Sequence, residues 1–343
     1  MTRIAYVDGA YLPFDHAGVH IEDRGYQFPD GIYEVFALID GEMLDVEAHL
    51  KRLNLSLEKI NLPSPVSTAA LLVILKETIR ANNIRDGLVY MQITRGRAAR
   101  NHAYPAITRP VLSVTVRPIN EAHRRHVAEA GIKVISTEDQ RWKRCDIKSI
   151  SLLLNVMAKQ AAVEAGAQEA WMIDGQGFVT EGASTTAWIV DQAGKLRTRP
   201  LTNDILDGIT RQMLLSLIDE LKLELDETPF TINEVYSSKE AFSTASSLIV
   251  MPVIEIDGHK NSNVRTYCES VYKSFIEKDI EAIYDDRDAN LGKKIKDWEL
   301  IGIPNIVIIG KNESNNKTVI FKKRSSESKS EMDINDLLDE VIS

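Results

Sequence analysis

Residues 141–149 read Arg141-Trp142-Lys143-Arg144-Cys145-Asp146-Ile147-Lys148-Ser149, and an apolar stretch of helical character follows from about Leu153 to Ala165. A lysine just ahead of an apolar helix is ordinarily a solvated surface group. Two later features bear on Lys148. Glu181 lies in Val179-Thr180-Glu181-Gly182-Ala183-Ser184, between strand-like runs, and Gly208-Ile209-Thr210-Arg211 opens a helix. A helix start presents unpaired N–H groups and the positive end of the dipole, which favour a phosphate. Taken singly, a Glu-Gly pair is usually a turn and Gly-x-Thr often only a cap.

On either side of this stretch the hydrophobic pattern divides the chain. Ile4 to Val7 and Val35 to Ile39 are short apolar runs, each followed by Asp-Gly, a hairpin signal. Helices are expected at about Val46 to Ile60 and Thr68 to Asn82, the second with Leu71, Ile74, Leu75 and Ile79 on one face. Strands at Leu88–Thr94 and Val111–Val116 complete an α+β domain over residues 1–118. Polar residues 119–129 read as a connection to a second domain, 130–260. That domain holds strands near Ile132–Ser136, Ala170–Ile173, Phe178–Val179, Ala187–Val190 and Leu248–Ile256, and a helix near Arg211–Leu221. Beyond it, residues 261–343 are richer in Asn, Lys and Ser, with a low-complexity patch at 325–330.

The chain has 343 residues, 44% hydrophobic and 27% charged, enough for two or three globular domains. A net charge of -9 argues against general binding to nucleic acid or anionic membrane, which needs a basic surface. Two cysteines, Cys145 and Cys268, make neither a disulfide framework nor a metal motif. His123 and His126 share a helical face without a third ligand, so no metal site is expected, and His16, His20, His49 and His259 read as lone surface or packing residues. No apolar run reaches membrane-spanning length and no signal peptide is evident, so the cytoplasm is the expected location.

Together, and in this order, these features resemble the fold-type IV pyridoxal-phosphate enzymes, in particular the D-amino-acid aminotransferases. Glu22-Asp23-Arg24-Gly25-Tyr26-Gln27-Phe28-Pro29-Asp30-Gly31-Ile32-Tyr33-Glu34-Val35, the stretch around Lys148, and Met251-Pro252-Val253-Ile254-Glu255-Ile256-Asp257-Gly258 all look like signatures of that family. The resemblance implies that pyridoxal 5'-phosphate is the cofactor and that Lys148 carries it. It makes Glu181 the carboxylate facing the pyridine nitrogen, Leu206 the apolar support of the ring, and Arg52 the cationic phosphate anchor. Ile209 and Thr210 become the helix-start donors, and Ser246 with Ser247 a hydroxyl pair closing the phosphate cup. Thr94-Arg95-Gly96 followed by Arg100-Asn101-His102 matches the substrate-carboxylate trap of the D-amino-acid branch, with Tyr33 completing it. By the same resemblance this loop reaches the neighbouring subunit, which implies a homodimer. Thr186 stands where asparagine is common, and Ala245 where serine is frequent.

The implied reaction is transamination of a D-amino acid, D-alanine foremost, with a 2-oxo acid such as 2-oxoglutarate. Branched-chain aminotransferase and aminodeoxychorismate lyase are the alternatives within the fold, against which Arg100 and His102 argue. After Gly258 the chain departs from the family. From about Val264 to Ser343 it resembles the anticodon-binding domain of bacterial prolyl-tRNA synthetase, an α/β domain here lacking its first strand. A missing strand leaves an open sheet edge, so the tail reads as a recombination product or truncated relic, or as a sheet completed by a strand from the preceding domain. The reading from another class is a chain disabled by its altered C-terminus, or an RNA-binding fusion that retains tRNA binding. The acidic tail disfavours such binding.

Overall fold

The computed structural model describes residues 3–342 apart from 248, 261–262, 286, 288 and 325–328. Leu248, Asp286, Asp288 and most of the low-complexity patch therefore lie outside the described residues. The chain divides into two compact units, Met1–Asn261 and Ser262–Ser343.

In the first unit, β1 (Ile4–Val7), β2 (Ala10–Pro13), a short α1 (Arg24–Gln27), β3 (Gly31–Ile39) and β4 (Glu42–Met43) precede α2 (Val46–Lys59) and α3 (Thr68–Asn82). With β5 (Gly87–Thr94) and β6 (Val111–Pro118), the strands form one antiparallel sheet in the order β2-β1-β6-β5-β3-β4. The hairpin turns at Asp8-Gly9 and Asp40-Gly41 have positive φ at both residues, the conformation Asp-Gly pairs supply most cheaply. Ser67 caps α3 by accepting from the Ala70 N–H. The helix then turns Leu71, Ile74, Leu75 and Ile79 onto the sheet, where they join Ile32, Phe36 and Val89 in the core.

The polar segment 119–129 carries a helix, α4 (Glu121–Ala130). Asn120 caps it through the His123 N–H, and Glu121 pairs with both Arg124 and Arg125 one turn on. Capping and i, i+3/i+4 pairing give these polar residues helical order that hydrophobic periodicity does not reveal.

The second sheet follows from β7 (Ile132–Glu138), which runs parallel to both β8 (Glu169–Ile173) and β14 (Ile249–Ile256). Between β7 and β8 the chain crosses over through α5 (Leu153–Glu164), with Lys148 just ahead of it. Further elements are β9 (Val179–Gly182), β10 (Thr186–Val190), β11 (Leu196–Thr198), α6 (Ile209–Leu221), β12 (Leu225–Asp226), α7 (Ile232–Ser237), β13 (Glu240–Ala245) and β15 (His259–Lys260). The strand order among the described residues is β12-β11-β10-β13-β14-β7-β8-β9, with β15 folded back on β14. Trp171 and Trp188 are fully buried, and their indole N–H groups donate to Ser243 and Thr244. A buried indole requires such an acceptor.

The second unit contains α8 (Asn263–Glu277), α9 (Leu291–Ile301), β16 (Asn305–Ile308), α10 (Lys311–Asn316), β17 (Thr318–Lys323), β18 (Lys329–Asp333) and α11 (Ile334–Ile342). Its sheet, β16-β17-β18, is antiparallel throughout. Tyr267, Val271 and Phe275 of α8 meet Val319 and Phe321 of β17 and Leu337 and Leu338 of α11 in its core. All three strands of this sheet come from within Asn305–Asp333.

Leu75 is 0% exposed and Val73, on the opposite face of α3, is 65% exposed. Leu75→Ala is expected to lower stability by roughly 2–5 kcal/mol, and Val73→Ala to change it by less than about 0.5 kcal/mol. Urea unfolding of the two variants checks the contrast.

Candidate active site

Lys148 sits on an irregular segment whose backbone is fixed from both sides. Its N–H donates to Ser56 Oγ at 3.3 Å, and its carbonyl accepts from the Tyr33 N–H at 3.0 Å. A bridge between Ile32 and Ser149 extends this pairing along the start of β3. The side chain alone is left to move, and Lys148 Nζ lies 4.2 Å from the centroid of the Tyr33 ring.

The cleft it enters is walled by Tyr33, Arg52, Glu181, Leu206, Ile209, Thr210 and Ser246. Sequence positions more than two hundred residues apart are thus brought together around one amine. Ser247 is half-buried but does not line the cleft. Arg100 and His102 are exposed on the β5–β6 connection and also lie outside it. Thr186 and Ala245, the two departures from the family pattern, both line it.

Glu181, on β9, is 7% exposed. Burial pushes its carboxyl up, against the pull of the Arg141 guanidinium and of the Leu206 N–H, which donates at 3.2 Å. Arg141 is itself held by Asp139 at 2.8 and 2.9 Å and by the Asp204 carbonyl at 3.1 Å. Burial works against its charge, but the Asp139 and Glu181 carboxylates outweigh that and keep it a cation. Burial would also raise Asp139, yet Arg141 and the Thr180 hydroxyl hold it below the ordinary carboxylate range. Cys145 lines the same cleft, and burial pushes its thiol up to about 12.

Across the cleft, Arg52 grips Glu34 through two bonds of 2.8 Å and donates to the Asp207 carbonyl, also at 2.8 Å. Three of the five guanidinium N–H groups are so engaged, which leaves two for an anion. His49 is no lone packing residue. It is 1% exposed, its Nδ1 meets Glu34 Oε2 at 2.7 Å and its Nε2 lies 3.5 Å from Ser246 Oγ. Burial alone would raise the Glu34 carboxyl; Arg52 and His49 overcome it and lower the pKa to about 2, helped by the charge of Lys148. Glu34, His49, Arg141 and Asp139 are functional neighbours that sequence reasoning missed. The one available signal is that Glu34 and Arg141 fall inside the family signatures.

These residues fit pyridoxal phosphate. There is an amine for the aldehyde and a buried carboxylate for the ring nitrogen, while the start of α6 with Thr210, Ser246 and Arg52 offers donors to a phosphate. Two observations show room shaped for a polar guest. The Thr185 hydroxyl is buried on the wall without a hydrogen-bond partner among the described residues. A Cβ at Gly208 would come 2.8 Å from Thr186 Oγ1, so bare backbone is required just before α6.

Residues 31–256 match the family described as amino-transferase class IV, and residues 248–343 match the anticodon binding domain. The D-alanine aminotransferase of Bacillus licheniformis is 40% identical over 251 residues, which is 73% of this chain and 87% of that protein. The D-alanine aminotransferase of Staphylococcus epidermidis is 35% identical over 278 residues, covering 80% of this chain and 97% of that one. Among solved structures, the branched-chain amino acid aminotransferase of Escherichia coli superposes with a TM-score of 0.68 at 20% identity, covering 83% of this chain and 97% of that chain.

Because the Glu34 pKa is lowered in the folded protein, its ionised form contributes stability above the unfolded value near 4.5, and that contribution disappears as pH falls toward about 2. Its size is on the order of 3 kcal/mol. Glu34→Gln is expected to be less stable than wild type at pH 7 and to lose less on acidification across that window. Urea midpoints measured from pH 7 down to pH about 2.5 test both.

Proposed function

Since this chain belongs to the class IV aminotransferases, we propose that it transfers the amino group of D-amino acids, D-alanine foremost, to a 2-oxo acid such as 2-oxoglutarate, with pyridoxal 5'-phosphate as cofactor. The observation that carries this reading is the convergence of Lys148, Glu181 and Arg52 on one cleft. The D-alanine aminotransferases among its relatives favour the D-amino-acid reaction, whereas likeness to the branched-chain enzyme at 20% identity speaks to the fold alone.

Bound pyridoxal phosphate supplies an aldehyde that captures amines and a ring that accepts the electron pair released at the substrate Cα. Lys148 holds the cofactor between turnovers. Once free, its Nζ would be the base that accepts and carries the substrate Cα proton. The clamped backbone of Lys148 keeps this transfer within the reach of one side chain. Glu181 keeps the ring nitrogen protonated; a cation opposite it offsets the effect of burial and favours its charged form. Arg141 holds Glu181 in place. Arg52, the N–H groups of Ile209 and Thr210, and the hydroxyl of Ser246 hold the phosphate, and Leu206 supports the ring. Tyr33, Arg100 and His102 bind the substrate carboxylate. Arg100 and His102 lie outside the cleft of their own chain, which accords with a homodimer in which each loop serves the neighbouring site.

Residues 1–118 and 130–260, joined by 119–129, are read as the two lobes of the transaminase, with 261–343 a fused partial anticodon-binding-like domain. Among the described residues no helix is long and apolar enough to cross a membrane, and a cytoplasmic enzyme is the proposed setting. The tail is not assigned a role in RNA binding.

Lys148→Ala is expected to lower turnover of D-alanine with 2-oxoglutarate at least ~10³-fold. It should also abolish the borohydride-reducible cofactor adduct, which in wild type maps to the peptide containing Lys148. Wild-type initial rates at varied substrate concentrations should give parallel double-reciprocal lines. Faster turnover of L-leucine than of D-alanine would overturn the substrate assignment.

A further inference from the structure

The substrate-carboxylate pair proposed above sits on the β5–β6 connection, a long segment without regular structure. Binding a carboxylate in a bidentate way demands that Arg100 be held to within a fraction of an ångström, so something must fix this loop. Its exposed side chains do not.

The fixing groups come from the N-terminal signature, some seventy residues upstream. Arg24 in α1 is 2% exposed and carries its guanidinium to three successive carbonyls of the loop: Asn101 at 2.5 Å, Ala103 at 3.3 Å and His102 at 3.4 Å. Its Nε donates to Asp30 at 2.7 Å. Asp30 also receives Arg95 Nε at 2.8 Å, and Arg95 stacks on Tyr104, farther along the same loop, at 3.6 Å. Phe28 fills the middle, with the Arg24 guanidinium 4.7 Å and the Arg100 guanidinium 4.6 Å from its ring centre, and the His102 ring 5.3 Å away.

A carbonyl triplet bound by one buried cation has its backbone path specified. Arg100 and His102 flank Asn101, the first of the three carbonyls. We propose that Arg24 and Asp30 are positioning residues for substrate recognition: they hold the backbone of residues 101–103 and thereby aim Arg100 and His102 at the substrate carboxylate. The proposal rests on the reading of Arg100 and His102 as the carboxylate-binding pair.

The test is a double-mutant cycle on the purified holoenzyme. Arg24→Lys keeps the charge but not the fork that spans three carbonyls. It is expected to raise the KM for D-alanine about tenfold while kcat changes less than about threefold, with the visible absorbance of bound cofactor unchanged. Asp30→Asn is expected to act in the same direction. In an Arg100→Ala background, Arg24→Lys should raise KM less than it does in wild type, because one of the two groups it aims is gone. In cofactor-free protein, hydrogen exchange of the 97–110 amides should accelerate in Arg24→Lys and not in Arg100→Ala. Equal KM increases in both backgrounds, or unaltered exchange of the loop, would overturn the positioning role. If Arg100→Ala itself leaves KM unchanged, it is the carboxylate-binding reading that fails, a result the exchange measurement separates from the first.

Discussion

A carboxylate shut away from water organises the first unit. Glu34 is 0% exposed on β3 and stays ionised because Arg52 and His49, both from α2, close around it. An unpaired charge in that position would be prohibitively costly, and removing Arg52 would take away the two hydrogen bonds that chiefly balance it. The cluster therefore locks α2 to the sheet. It also reaches across the cleft: Arg52 holds the Asp207 carbonyl just ahead of α6, and His49 stands by Ser246 after β13. The alignment of the start of α6 with α2 and the sheet depends on this one buried charge.

Much of the architecture is legible because it is written in local chemistry. α3 runs over Thr68–Asn82 as its periodicity predicts, and the Asp-Gly pairs make the turns expected of them. Other elements hide behind polarity. Strand β13 contains Ser243 and Thr244, which look like loop residues until the two buried indoles that need them are in view. α4 is built from caps and ion pairs rather than from an apolar stripe.

The candidate site divides in the same way. Lys148, Glu181 and the start of α6 are weak signals singly; with Arg52 they are picked out by the family resemblance, and the structure gathers them around one cleft. Ser247 pairs with Ser246 by adjacency alone, but a turn sends neighbouring side chains in different directions, and only Ser246 reaches the cleft wall. His49 escapes notice because nothing in a one-dimensional string says that a histidine in a helix will face a glutamate on a strand. In the tail, sequence and fold agree on an α/β unit with its own core, while β16 has a partner on one side only among the described residues. Such an edge is where foreign strands add, and the half-buried Ile306 and Val307 there do little to discourage them.

Two nucleophiles look onto one cleft, and aldehydes react readily with both amines and thiolates. Cys145 is three residues from Lys148, but its sulfur is kept as a neutral thiol, with a titration point pushed to about 12 by burial, and bonds to the Trp142 carbonyl. Reactivity of sulfur toward an electrophilic carbon requires the thiolate, and at physiological pH that species is all but absent here. The fold thus settles a competition in advance: a rival sulfur stays quiet beside the amine, and the cleft is spared a dead-end adduct without excluding cysteine from its wall.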